Sequence, residues 1–144
     1  MRLASCMARP LAAAVLILMA AGCAAPAKRH ELVGTVWVVE AVGGNEVSSS
    51  PRVFLQFDPG GEAVGSGGCN GFGGDYKLEG QNLQFGALAP TRRACDIDVM
   101  DRELRYFSAL ERVTHYELQG GNTLLLLTED GREIRLRRSA AEAS

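Results

Sequence analysis

The chain has 144 residues, a formal net charge of −2, 47% hydrophobic and 22% charged residues, 17 glycines and four cysteines. That length suits one domain and is too short for two of ordinary size. The near-neutral balance, with basic residues scattered except for Arg92-Arg93 and the run at 135–138, excludes the broad basic face that a nucleic-acid ligand requires.

The chain opens with Met1, Arg2 and Arg9 ahead of an apolar run of 11 residues, Leu11 to Ala21. A spanning helix needs about 20 apolar residues, so the run reads as the hydrophobic part of a secretory signal. The segment that follows, ending in Gly22-Cys23, resembles the lipobox of bacterial lipoproteins, although Ala20 stands where that family favours leucine. The resemblance implies removal of residues 1–22 and acylation of Cys23, making the membrane a partner through that residue. Stable anchoring takes two or more lipid signals, and a diacylglyceryl cysteine carries them. The alternative is ordinary cleavage near Ala25-Pro26-Ala27. Ala24 in place of aspartate implies, by the same resemblance, the periplasmic face of the outer membrane in a double-membraned host. Residues 23–31 read as a tether and 139–144 as a frayed tail, leaving 32–138 as the folded unit.

Within that unit the apolar period is mostly two. Residues 35–42 are rich in β-branched side chains, and 53–58 place Val53, Leu55 and Phe57 on one face. Asp58-Pro59-Gly60-Gly61 is a turn, after which residues 62–66 return toward a glycine-rich stretch. Further strands are expected in 75–79, 82–86, 114–118, 123–128 and 132–137, the last two joined by a two-residue turn at Asp130-Gly131. Tyr76, Leu78, Gly80 and Asn82 recur as Tyr116, Leu118, Gly120 and Asn122, which marks two similar hairpins. One helix is expected over 97–113, started by Asp96 or Asp98, with Met100, Leu104, Phe107 and Leu110 as its apolar face and Asp101, Arg105 and Arg112 in water. The expectation is a mainly β, α+β fold: a small antiparallel β-barrel or strongly curled sheet with one α-helix.

The stretch "GSGGCNGFGGDY", 65–76, is half glycine. It lacks the lysine of a phosphate-binding P-loop and the glycine spacing of a dinucleotide fingerprint, and it lies between strands, so no helix N-terminus receives an anion. It reads as a structural corner. With Cys6 in the leader and Cys23 acylated, Cys69 and Cys95 remain, and an isolated pair in an oxidising compartment reads first as a disulfide. The competing reading makes Cys69 a nucleophile with His115 as base and Asp75 as orienting group. A metal site built from two cysteines and a histidine would lack the close ligand pairs that announce zinc. No cofactor motif is present, and no metal or cofactor is expected.

Gly68-Cys69-Asn70, Gly74-Asp75-Tyr76, Thr91-Arg92-Arg93-Ala94-Cys95 and the opening Gly34-Thr35-Val36-Trp37 occur in the order that resembles the META/HslJ-like domain family. The resemblance covers about 32–138. It implies a mostly antiparallel, barrel-like fold with one helix, a bacterial envelope setting often as a lipoprotein, and links to heat-shock response and antibiotic tolerance. It brings no catalytic residues or ligand. The functional expectation is a non-enzymatic envelope module that binds or protects an envelope protein or cell-wall component under stress, with Phe72, Arg92 and Arg93 as candidate contacts. The alternatives are a Cys69-dependent enzyme and an inhibitor of a host hydrolase.

Overall fold

The computed structural model describes residues 31–140. The leader, Cys23, the tether up to residue 30 and the last four residues lie outside the described residues. The strands are β1 (Val36–Val42), β2 (Asn45–Glu46), β3 (Phe54–Phe57), β4 (Glu62–Ser66), β5 (Gly71–Glu79), β6 (Asn82–Phe85), β7 (Ala89–Pro90), β8 (Val113–Gln119), β9 (Thr123–Thr128) and β10 (Glu133–Arg138), with helix α1 (Ile97–Leu110) between β7 and β8.

Eight strands pair antiparallel in the order β1-β3-β4-β5-β6-β8-β9-β10, and β10 pairs back onto β1 to close a barrel. The short β2 and β7 lie beside β1 and β5. Closure leaves no long free edge, and the expected barrel with a helix is what forms. Alternation drives it: Trp37, Val39 and Ala41 of β1, Leu55 and Phe57 of β3, Leu124 and Leu126 of β9 and Ile134 and Leu136 of β10 are all buried inside. The β6–β8 seam is thin, with Asn82 opposite His115 as its one paired position.

The two ends of the barrel close differently. At one end the chain arrives through Val33, which bridges to Phe57, and fully buried Leu32 fills the opening. Trp37 Nε1 donates to the Leu32 carbonyl at 3.1 Å, and Arg138 lies over the indole at 5.1 Å. Tyr76 meets Phe57 edge-on at 5.0 Å and donates its hydroxyl to the Asp58 carbonyl. At the opposite end Phe54 pairs with Ser66, next to the 67–70 turn on which α1 lies.

Three sequence expectations are corrected. The glycine-rich corner is shorter than expected: β4 enters it as read, but β5 starts at Gly71 rather than at Asp75, leaving a four-residue turn at 67–70. Gly65 is required inside β4, because a Cβ there would collide with the Phe54 carbonyl and the Phe72 ring. The helix ends at Leu110, and Val113 is a buried strand residue whose spacing happens to continue the helical period. The β9–β10 reversal is longer than two residues: Thr128 N–H donates to the Arg132 carbonyl across Glu129, Asp130 and Gly131. The two hairpins marked by the repeated Tyr-Leu-Gly-Asn spacing do form, as β5–β6 and β8–β9.

Candidate functional site

The motif residues converge where α1 meets the barrel. Cys69 and Cys95 form a disulfide, with Sγ–Sγ 2.04 Å and Cα–Cα 5.9 Å. It joins the 67–70 turn to the segment 91–96, a strap that runs from β7 to the start of α1. Asn70, 6% exposed, accepts on Oδ1 from Thr91 Oγ1 (2.8 Å) and from the Arg93 main-chain N–H (2.6 Å). Its Nδ2 donates to the Arg93 carbonyl at 3.3 Å. One side chain thereby engages both the main-chain N–H and the carbonyl of Arg93, which is why an amide, with a donor and an acceptor, stands here rather than a carboxylate.

The centre of this arrangement is Glu103 of α1, also 6% exposed. Its Oε2 accepts from the main-chain N–H groups of Cys69 (3.0 Å) and Asn70 (2.6 Å), and its Oε1 accepts from Asn70 Nδ2 (2.6 Å). Three donors therefore satisfy a buried carboxylate that has no ion pair among the described residues. Gly67 permits the approach, since a Cβ there would collide with the Glu103 side chain. Gly68 takes φ +107°, and Gly74 lies in β5 close against the Ala87 carbonyl.

Sequence reasoning missed Glu103, although a signal was present. It lies three and seven residues before Tyr106 and Leu110, an acidic side chain on an apolar stripe. The helix is rotated from the expected orientation. Its buried face is Glu103, Tyr106, Ala109 and Leu110, whereas Met100 and Leu104, expected inside, are 39% and 68% exposed. The need to deliver Glu103 to the turn and Tyr106 into the barrel sets the rotation. Asp96 stands at the N-cap without a side-chain cap; its carbonyl accepts from Val99 and Met100 N–H. The Tyr106 hydroxyl has no partner among the described residues, and burial pushes its phenol far above the usual value.

The remaining candidates separate. Phe72, proposed as a contact, is a core residue packed at 5.1 Å against Phe107 and 6.1 Å against Tyr106. His115 is exposed on β8 between Asn82 and Leu127, and Asp75 pairs with Glu62; neither is among the groups around Cys69. The thiol that the nucleophile reading requires is in the disulfide. Among the described residues no group of three or more His, Cys, Asp or Glu is placed to hold a metal ion. The Arg92 and Arg93 side chains are exposed on the strap, with no hydrogen bond or ion pair among the described residues. Beside the strap lies a hollow of about 370 Å³ lined by Pro90, Thr91, Met100, Leu104 and Phe107, among others.

The comparisons agree with this geometry. A protein from Burkholderia xenovorans solved by NMR superposes with a TM-score of 0.62 at 26% identity, over 80% of this chain and 88% of that one. A second protein solved by NMR gives 0.62 at 25% identity, over 75% and 92%. A crystal structure of a DUF4847 family protein from Bacteroides vulgatus shares the fold, with a TM-score of 0.57 at 14% identity over 76% and 96%. No curated protein matches the chain. No catalytic family is indicated. The META domain model matches residues 30–141, and the chain belongs to the META domain family.

Proposed function

We propose that this is a non-enzymatic, lipid-anchored envelope module that holds an anionic group of an envelope protein or cell-wall component, in a protective, stress-related role. The observation that carries the reading is the mutual engagement of the residues where the 67–70 turn, the strap and α1 meet. Cys69, Asn70, Thr91, Cys95 and Glu103 spend their polar groups on one another and on the strap backbone. An arrangement so saturated braces a surface and leaves no free nucleophile or base. What it braces is a strap whose main chain is fixed at Arg93 while the Arg92 and Arg93 guanidinium groups remain free. Rigid backbone under free arginines favours planar, bidentate recognition of carboxylate or phosphate.

In this reading Cys23 is acylated and holds the module at the periplasmic face of the outer membrane. The eight residues from Cys23 to His30 span at most roughly 28 Å. The chain then joins the barrel at the end opposite α1, which favours a strap facing away from the bilayer. The test is in-cell crosslinking from a photoreactive residue at position 94, exposed on the strap beside both arginines. A specific envelope neighbour is expected, and Arg92→Glu/Arg93→Glu should abolish it. Recovery of nothing above an unrelated lipoprotein would contradict the reading.

A further inference from the structure

Arg102 of α1 is a charged side chain that the fold leaves incompletely paired. Its Nη1 donates to Ser48 Oγ at 2.6 Å, whereas Nε and Nη2 are buried and have no hydrogen-bond partner among the described residues. Nε and Nη2 share one edge of the planar guanidinium, and their parallel N–H bonds form the fork that takes two oxygens of a carboxylate or phosphate. The bare edge is a complete recognition element. Leaving it unpaired is costly, because buried charges are ordinarily paired and hydrogen-bonded.

A carboxylate stands close by in sequence. Asp98 lies one turn earlier on the same helix and is exposed. Asp101 and Arg105, at the same spacing, do pair. Asp98 and Arg102 form no ion pair among the described residues; the guanidinium turns instead beneath residues 48–51. Gly68 permits this, since a Cβ there would lie 3.2 Å from Nη2 and 3.3 Å from Pro51 Cγ. Gly68 and Pro51 bring carbon to this edge and no acceptor.

The cover is lightly held. Residues 48–51 lie between β2 and β3, and the three serines are exposed. The chain is fixed on either side, where Val47 N–H donates to the Glu40 carbonyl at 2.8 Å and the Val53 carbonyl accepts from Val39 N–H at 2.9 Å. Between those points the Arg102–Ser48 bond is the one hydrogen bond to α1 among the described residues. Ser48 Oγ also donates to the Ser50 carbonyl at 2.9 Å, tying the segment to itself. Breaking one contact therefore lets the segment lift while its anchors stay in place.

We propose that Arg102 is a binding site for an oxyanion, a carboxylate or a phosphate, which the 48–51 segment covers and uncovers. The anion takes the Nε–Nη2 edge when Ser48 and Pro51 move aside. The site uses neither Arg92 nor Arg93, and it does not depend on acylation of Cys23.

The test is thermal unfolding of the full-length protein in sodium acetate or sodium phosphate, each against sodium chloride at equal ionic strength. Each shift is compared with that of Arg102→Lys, which keeps the charge and loses the fork. The comparison removes the general effect of these salts on any folded protein. At about ten times the dissociation constant of the anion that binds, the wild-type midpoint should rise by about 5 °C more than that of the variant. Whether acetate or phosphate produces the rise identifies the kind of oxyanion. Ser48→Ala, which frees the cover, should lower the apparent dissociation constant severalfold. Arg102→Met should be at least as stable as the wild type without anion, because it removes an unpaired buried charge, and should show no specific shift. Arg92→Glu/Arg93→Glu should keep the shift. Equal shifts in the wild type and Arg102→Lys, or a shift that disappears with Arg92→Glu/Arg93→Glu, overturn the proposal. A dissociation constant unchanged by Ser48→Ala overturns the covering role. Loss of the position 94 crosslink with this shift intact would count against the strap arginines alone.

Discussion

The two ends of this barrel close by opposite means. The end where the chain arrives is sealed by apolar area: Leu32, Trp37 and Phe57 are fully buried, with Trp37 and Tyr76 each giving one polar group to a carbonyl. The α1 end is sealed by a disulfide and a carboxylate that takes three hydrogen bonds. Apolar closure is non-directional and tolerates repacking. Polar closure fixes the relative positions of the turn, strap and helix, because each donor has one acceptor at one distance and leaving it unmade is costly. The polar end is therefore where a surface is held to a defined shape.

The largest effect should come from the apolar end. Trp37→Ala removes a fully buried indole and should lose about 3–5 kcal/mol in denaturant unfolding. Reduction of Cys69–Cys95 comes next. The closed segment of 26 residues corresponds to about 3.5 kcal/mol in the chain-entropy model, read as a lower unfolding midpoint in reductant. Glu103→Leu strands three buried donors and should cost about 3 kcal/mol, whereas Glu103→Gln, which keeps an acceptor, should cost less. In a double-mutant cycle Glu103→Ala and Asn70→Ala should couple by at least about 1 kcal/mol, while Glu103→Ala and Trp37→Ala should add within about 0.5 kcal/mol. Coupling between the ends would break the comparison.

Two smaller effects sharpen it. The Tyr106 hydroxyl is buried without a partner among the described residues, so Tyr106→Phe should leave stability unchanged or raise it by up to about 1 kcal/mol. Because the folded state holds the phenol neutral, the wild type should also lose stability as pH rises past about 10, where the unfolded chain ionises, and the variant should not lose that part. Asp130 is the surface contrast. Hydrogen bonds from the Arg132 and Thr128 side chains hold its carboxyl below the usual carboxylate range. Its contribution is complete above about pH 4 and is lost as pH falls below that value, so Asp130→Asn should flatten the acid limb slightly.

How much could be read from the sequence follows the same division. Val53, Leu55 and Phe57 alternate, and their burial was legible because a barrel strand imposes a period of two. Trp37 was placed by its motif, and the hairpins by their turn residues. The corner was drawn too long because Gly71, Gly73 and Gly74 look like turn residues, yet lie within β5 and pair with β4. Glu103 was missed because a charged residue in a helix is ordinarily solvated, and its three donors lie 33 and 34 residues earlier in the chain. Local pattern cannot report an interaction of that range. The helix rotation followed from the same omission, and with it the exposure of Ile97, Met100 and Leu104.

The account stands on the motif residues being a brace rather than a reaction centre. The direct test is intact mass of the native protein after brief alkylation, with and without prior reduction. Protection of Cys69 and Cys95 until reduction, then two added labels, is the predicted result. Immediate labelling of Cys69 in the native, unreduced protein would contradict it, because a free thiol there leaves the turn and strap unjoined and returns a nucleophile to the site.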